Sequence, residues 1–117
     1  QYRASYSAAK AAIHMWANSL RAEMADEGVG VSVIFPGFVK TNVSFNALNG
    51  EGKAQGHQDE AIENGLQPEE FAKTVVKSLL ADEEYIVVGG TKEKLGVLVS
   101  RLSPSTLYKM IRKIKVK

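Results

Sequence analysis

The sequence predicts an α/β fold built on a parallel sheet. Three observations carry this reading: an uninterrupted helical run at the start, two short β-branched runs each closed by glycine, and a second helical run between them. Apolar residues recurring every three or four positions mark a helix with one buried stripe. A near-continuous apolar run of strand length is what a strand covered on both faces requires. The order helix, strand, long loop, helix, strand is the alternation of an α/β domain, whose strand-to-strand crossover is expected to be parallel and right-handed.

The first helix is expected over 5–26. Ala9, Ala12, Ile13, Trp16, Leu20 and Met24 form its stripe, no Gly or Pro interrupts it, and Gly28 and Gly30 follow where a left-handed cap suits a residue without Cβ. Val31, Ser32, Val33, Ile34 and Phe35 read as a buried strand that Pro36-Gly37 ends. The stretch 41–67 carries Gly50, Gly52, Gly56 and Gly65 among polar residues, a pattern expected of a lid or binding loop. Pro68 with Glu69 and Glu70 opens a helix, since proline costs no hydrogen bond at the first position and the acidic pair suits the positive end of the macrodipole. Phe71, Val75 and Leu79, with Ala72, Val76 and Leu80, continue it to about Ala81. Tyr85, Ile86, Val87 and Val88 read as a second buried strand, closed by Gly89-Gly90. The segment 91–117 is a basic tail, with Leu107, Met110, Ile111 and Ile114 at helical spacing over 102–117.

Composition bounds the function classes. The 117 residues suit one small domain, and 44% hydrophobic with 24% charged residues is ordinary for a globular chain. No stretch reaches the roughly 18 apolar residues of a spanning helix. The absence of cysteine excludes disulfides and thiolate metal sites and is compatible with a cytoplasmic location. A net charge of +2, concentrated in the tail, does not argue for nucleic acid as a partner. Gln1 leads at once into a helical pattern with neither a leader nor a Met start, so the chain is expected to begin inside a longer protein.

Tyr6 and Lys10 fall in the first turns of the first helix, four residues apart and therefore on one face. An unperturbed phenol ionises at about pH 10, and a fixed positive charge beside it favours the phenolate. Such a pair can exchange a proton with an alcohol or carbonyl oxygen. The same spacing also describes an ordinary solvated helix pair. The surroundings separate the two readings. Tyr6-Ser7-Ala8-Ala9-Lys10-Ala11-Ala12, followed by Leu20-Arg21-Ala22-Glu23, resembles the active-site helix of the short-chain dehydrogenase/reductase family. Pro36-Gly37-Phe38-Val39-Lys40-Thr41, after its strand, resembles that family's Pro-Gly-x-x-x-Thr turn, in the right order and at the right distance.

The resemblance implies the C-terminal part of a Rossmann-like doubly wound parallel sheet, without the N-terminal half that binds most of the dinucleotide. It implies an oxidoreductase that uses NAD or NADP to interconvert a secondary alcohol and a ketone by hydride transfer. Tyr6 would be the acid/base. Lys10 would support it and hydrogen-bond the nicotinamide ribose. Pro36 and Gly37 would shape the turn under the nicotinamide, Val39 would offer backbone groups to the carboxamide, and Thr41 its hydroxyl. The family's Gly-rich turn, its Asn-Ala-Gly strand and its serine about a dozen residues before the tyrosine are absent from the sequence. The segment alone is therefore expected not to turn over substrate, and two strands are few for a stable parallel sheet.

Two other functions fit the same residues: an epimerase or dehydratase of this fold that retains its cofactor, and a non-enzymatic relative acting as a binding or membrane-associated module. Phe38 and Phe45 either line an apolar substrate pocket or anchor the lid. His14 suits a surface or subunit contact better than a proton relay, and His57 has no ligand cluster for a metal. Met15 and Trp16 read as core and interface residues. The family's use of this helix in a dimer-forming bundle implies a homo-oligomer. The basic tail is expected to pack on its own protein or a neighbouring subunit in preference to anionic lipid.

Overall fold

The computed structural model describes residues 4–112. Helix α1 (Ala4–Glu23) runs into a 3-10 turn (Ala25–Glu27) that Gly28 closes at φ 67. Strand β1 (Val33–Pro36) follows, then a long loop holding the four-residue helix α2 (Glu60–Glu63). Helix α3 (Pro68–Leu80), strand β2 (Tyr85–Val88), helix α4 (Thr91–Leu102) and helix α5 (Pro104–Ile111) complete the order.

β1 and β2 pair in parallel, with Val33 opposite Tyr85, Ile34 opposite Ile86, Phe35 opposite Val87 and Pro36 opposite Val88. Paired residues share a face, so the register divides the side chains into two sets. Val33, Phe35, Tyr85 and Val87 face α1. The His14 ring meets the Phe35 ring edge-on at 5.0 Å and that of Tyr85 at 5.9 Å, and Phe35 and Tyr85 lie 4.3 Å apart. The Arg101 guanidinium, from α4, closes over the Tyr85 ring at 4.1 Å. On the other face α3 packs on β2, and Ile86 and Val88 are buried there.

One side chain fixes the direction of α1. The Arg21 Nε donates to the Val31 carbonyl at 3.0 Å and its Nη2 to the Glu84 carbonyl at 3.0 Å. Asn18 Oδ1 accepts from Nη1, and the Glu84 carboxylate lies 3.5 Å from Nε. Arg21 thus ties the end of α1 to the residues that enter both strands. Replacing it with Ala should cost about 2 kcal/mol, because two backbone carbonyls lose a charged donor. An unfolding titration of Arg21→Ala against the parent reads this directly. A loss under about 0.5 kcal/mol would mean that solvent replaces the clamp.

Several expectations change. The first strand starts at Val33 instead of Val31 and includes Pro36. It is covered on one face only among the described residues, since Ile34 and Pro36 are exposed while α3 lies over β2. The side of α1 toward the sheet carries His14, Ala17, Arg21 and Met24; Ile13 and Trp16, expected in its buried stripe, point outward, Trp16 being 64% exposed. His14 is accordingly half-buried among aromatic rings and not on the surface. Of the two stripes expected on α3, Phe71 and Val75 meet the body, while Ala72, Val76 and Leu80 are exposed. The tail contains a second helix: α4 occupies the start of 91–117, Ser103 breaks the run, and α5 begins at Pro104. Ile114 and the last lysines lie outside the described residues.

Candidate functional site

The position of α1 over the sheet sets the level of Tyr6 and Lys10. Arg21 marks the amino ends of the strands, and His14 marks the middle, against Phe35. A helix rises about 1.5 Å per residue and a strand about 3.3 Å. Lys10, one turn before His14, therefore lies about 6 Å nearer the carboxyl ends, level with Gly37, and Tyr6 lies a further turn along. The Lys10 Nζ sits 5.5 Å from the centroid of the Tyr6 ring, so the four-residue spacing brings the two groups together. Both side chains are exposed, and neither is engaged in a hydrogen bond or ion pair with another described residue.

Pro36 ends β1, and the Gly37 N–H donates to the Val88 carbonyl, prolonging the ladder by one bond. The chains are close here. A Cβ on Gly37 would meet the Gly89 Cα at 3.0 Å and the Val88 oxygen at 3.3 Å. Val39 then pairs with Leu66 in a parallel bridge, in which the Leu66 N–H donates to the Phe38 carbonyl at 2.9 Å and the Lys40 N–H to the Leu66 carbonyl at 2.9 Å. This pattern uses the groups on either side of Val39 and leaves its own N–H and C=O directed away from the bridge. Gly65 permits the approach, because a Cβ there would stand 2.6 Å from the Phe38 oxygen. The Thr41 carbonyl accepts from Gln58 Nε2 at 2.7 Å, and its side chain is exposed.

The loop 41–67 is folded. Ser44, buried in a polar stretch, hydrogen-bonds Gln58 Oε1 through its hydroxyl and accepts the Asp59 N–H at 3.0 Å. Leu48 and Ala54 form an antiparallel bridge around a turn in which Asn49 Oδ1 accepts the N–H groups of Glu51 and Lys53. The two aromatic candidates separate. Phe38 lines an open cleft of about 370 Å³ with Leu66, Gln67, Glu70, Gly90 and Glu93, whereas Phe45 is not among the lining residues. No cluster of metal-ligating side chains occurs among the described residues; the His57 Nδ1 lies 3.3 Å from the Gln55 carbonyl oxygen.

The family model for short chain dehydrogenase matches residues 1–52, the span that holds both the Tyr6–Lys10 helix and the turn after β1. A dehydrogenase/reductase SDR family protein 7-like of Drosophila melanogaster is 36% identical over 115 residues, which is 98% of this chain and 35% of the fly protein. Dehydrogenase/reductase SDR family member 7B of Xenopus laevis is 34% identical over 110 residues, covering 94% of this chain and 34% of the frog protein. Along nearly its whole length the chain is similar to short-chain dehydrogenase/reductase proteins. It spans about a third of the length of the curated relatives it matches. No solved structure matches it significantly.

The parallel pair, with α1 on one face and α3 on the other, is part of a doubly wound, Rossmann-like α/β sheet of the kind this similarity implies. Sequence reasoning missed the roles of Gly65, Leu66, Ser44 and Gln58, which hold the loop after the turn. Only Gly65 carried a signal, an isolated glycine beside an apolar residue, which marks a close backbone approach. Glu93, whose Cγ would lie 3.4 Å from a Cβ on Gly37, had none.

Proposed function

We propose that the protein carrying this chain is an NAD(P)-dependent oxidoreductase that interconverts a secondary alcohol and a ketone. The observation that carries the proposal is the Tyr6–Lys10 pair on one face of α1; helical rise from His14 and Arg21 sets it near the Pro36-Gly37 turn, at the carboxyl ends of two parallel strands. Ligands of open α/β sheets bind at that end. The fly and frog relatives are named as dehydrogenase/reductases, which agrees with this chemistry.

The residues present fit the nicotinamide end of a dinucleotide. Gly37 keeps side-chain bulk out of the floor of the turn, and Val39 presents a donor and an acceptor that the Leu66 bridge does not use. Lys10 offers an exposed ammonium for ribose hydroxyls, and Thr41 a hydroxyl at the start of the loop. A bound nicotinamide supplies the acceptor or donor of the hydride. As phenolate, Tyr6 takes the proton from the alcohol O–H as the carbonyl forms and becomes the phenol; in the reverse direction the phenol returns that proton to the carbonyl oxygen and becomes phenolate. Lys10 places positive charge beside the Tyr6 oxygen, where negative charge stands before alcohol oxidation and develops during carbonyl reduction. Phe38, next after Gly37, offers the substrate an apolar surface beside the turn, although the cleft it lines includes neither Tyr6 nor Lys10, and Phe45 would reach the same ligand only through the loop.

A homo-oligomer in the cytoplasm completes the proposal. Exposed Ile13, Met15 and Trp16 on α1 supply an apolar face for a second copy, and the cysteine-free sequence suits a reducing compartment. Absorbance of the reduced nicotinamide, followed in the native protein at saturating secondary alcohol, tests the reaction class. Net reduction of cofactor is expected. Product formed from substrate with no net reduction would replace this reading with an epimerase that retains its cofactor.

A further inference from the structure

Positive charge is segregated in this chain. Residues 94–117 hold Lys94, Arg101, Lys109, Arg112, Lys113, Lys115 and Lys117, seven of the 15 basic residues, and none of the 13 acidic ones. The 93 residues before them are therefore net −5 against +7 for this segment. The described part of the segment is a two-helix hairpin, α4 against α5, and it exposes its large apolar side chains. On α4, Leu95, Leu98 and Leu102 are spaced by three and four, so they form one ridge, with Leu102 77% exposed. At 100° per residue this ridge lies opposite Gly96, Val97 and Ser100, the half-buried side of α4. On α5, Leu107 is half-buried while Tyr108, Met110 and Ile111 are exposed, with Lys109 and Arg112 on the other side of the helix.

We infer that the α4–α5 hairpin is a docking surface for an anionic phospholipid bilayer. Apolar ridges flanked by cations of one sign match an interface that is apolar below and negatively charged above. Five of the seven cations are lysines, flexible point charges suited to a diffuse layer of headgroups, where the arginine fork suits a fixed carboxylate or phosphate. A protein partner would have to match two exposed apolar ridges and the Lys109 and Arg112 cations beside them at fixed positions; a bilayer needs no such register. Among the described residues no helix is long and apolar enough to cross a membrane, so the hairpin would lie on the surface. The exposed ridge thus weighs against the sequence-based preference for packing of the tail on its own protein. This inference is independent of the proposed reaction.

Co-sedimentation of the native protein with vesicles tests it. Vesicles of phosphatidylcholine containing about one third phosphatidylserine should bind at least about ten-fold more tightly than phosphatidylcholine alone at about 0.15 M salt, and should release protein at about 0.5 M. Each cation at an anionic surface contributes about five-fold, so Lys109→Glu with Arg112→Glu should weaken binding by at least about 25-fold. Leu98→Gln with Leu102→Gln should weaken it without changing the salt dependence. Equal affinity for both vesicle types, no binding to either, or unaltered binding of the charge-reversed variant would overturn the inference. So would a dimer, seen without lipid, that the charge reversal dissolves, since the occupant would then be a second copy. The lipid and salt series on the unmodified protein does not depend on the folding of any variant.

Discussion

Replacing Tyr6 with Phe in the native protein should lower kcat by about 10³-fold, roughly 4 kcal/mol of transition-state stabilisation, with dinucleotide affinity changed less than about two-fold. The substitution removes one oxygen and keeps the ring. Tyr6 is 59% exposed, its hydroxyl makes no hydrogen bond with a described residue, and α1 is anchored elsewhere, at His14 and Arg21. Stability should consequently stay within about 0.5 kcal/mol, as for other exposed positions. Lys10→Met makes the contrast. Its ammonium is assigned both to the phenol, 5.5 Å from the ring centroid, and to the ribose, so kcat and cofactor affinity should fall together. Initial rates combined with a fluorescence titration of the reduced dinucleotide separate the two patterns. Retention of activity within about ten-fold by Tyr6→Phe would remove Tyr6 from the chemistry and leave the helix pair as surface.

Residues close in sequence carried most of what could be read without coordinates. The helical run through Ala9 to Met24, the Pro68-Glu69-Glu70 helix start, and the β-branched runs ending at Pro36-Gly37 and Gly89-Gly90 depend on backbone propensity and on punctuation, and the elements appear where those signals lie. Which face each helix buries does not follow from such signals. α1 turns Ile13 and Trp16 outward because Arg21 reaches the carbonyls of Val31 and Glu84 and His14 fits between Phe35 and Tyr85, contacts with partners many residues away. A polar side is inward because the carbonyls at the strand entries need a donor. α4 escaped notice for a related reason: its Gly96 and interleaved lysines dilute the helical pattern, and the apolar ridge it does carry is the exposed one. The order of the loop 41–67 was illegible too. Nothing in the composition singles out Ser44 or Gln58, and only coordinates pair Ser44 with Gln58 and Asp59 across the loop. The site divides in the same way. Tyr6 and Lys10 meet by helical spacing alone, whereas the isolation of Val39's peptide groups depends on a bridge to Leu66, 27 positions further along the chain.

That bridge makes Gly65 the most demanding position in the loop, and Gly65→Ala should lower stability by about 3 kcal/mol. A Cβ would stand 2.6 Å from the Phe38 oxygen, 2.7 Å from the Phe38 carbonyl carbon and 3.0 Å from the Ile62 oxygen. All three are backbone atoms, so no rotamer change relieves the contact. Separation of the strands would stretch the Leu66-to-Phe38 and Lys40-to-Leu66 hydrogen bonds, both 2.9 Å, and the 3.1 Å bond from Gly65 to Ile62. Against a typical total of about 5 to 15 kcal/mol the loss is large. Gly50→Ala is the matched control: nothing lies within 4 Å of its Cβ position and its φ is not positive, so a change within about 0.5 kcal/mol is expected. Chemical unfolding gives the two stabilities, and limited proteolysis of 41–67 shows whether the loop opens before the body. The consequence for function is specific. If the bridge holds Val39, then Gly65→Ala should weaken dinucleotide affinity even at temperatures where the variant remains folded, because the donor and acceptor of Val39 lose their fixed direction. A Gly65→Ala protein that unfolds together with Gly50→Ala and binds dinucleotide as the parent does would show that Val39 needs no such tether, and the role proposed for its peptide groups would fall with it.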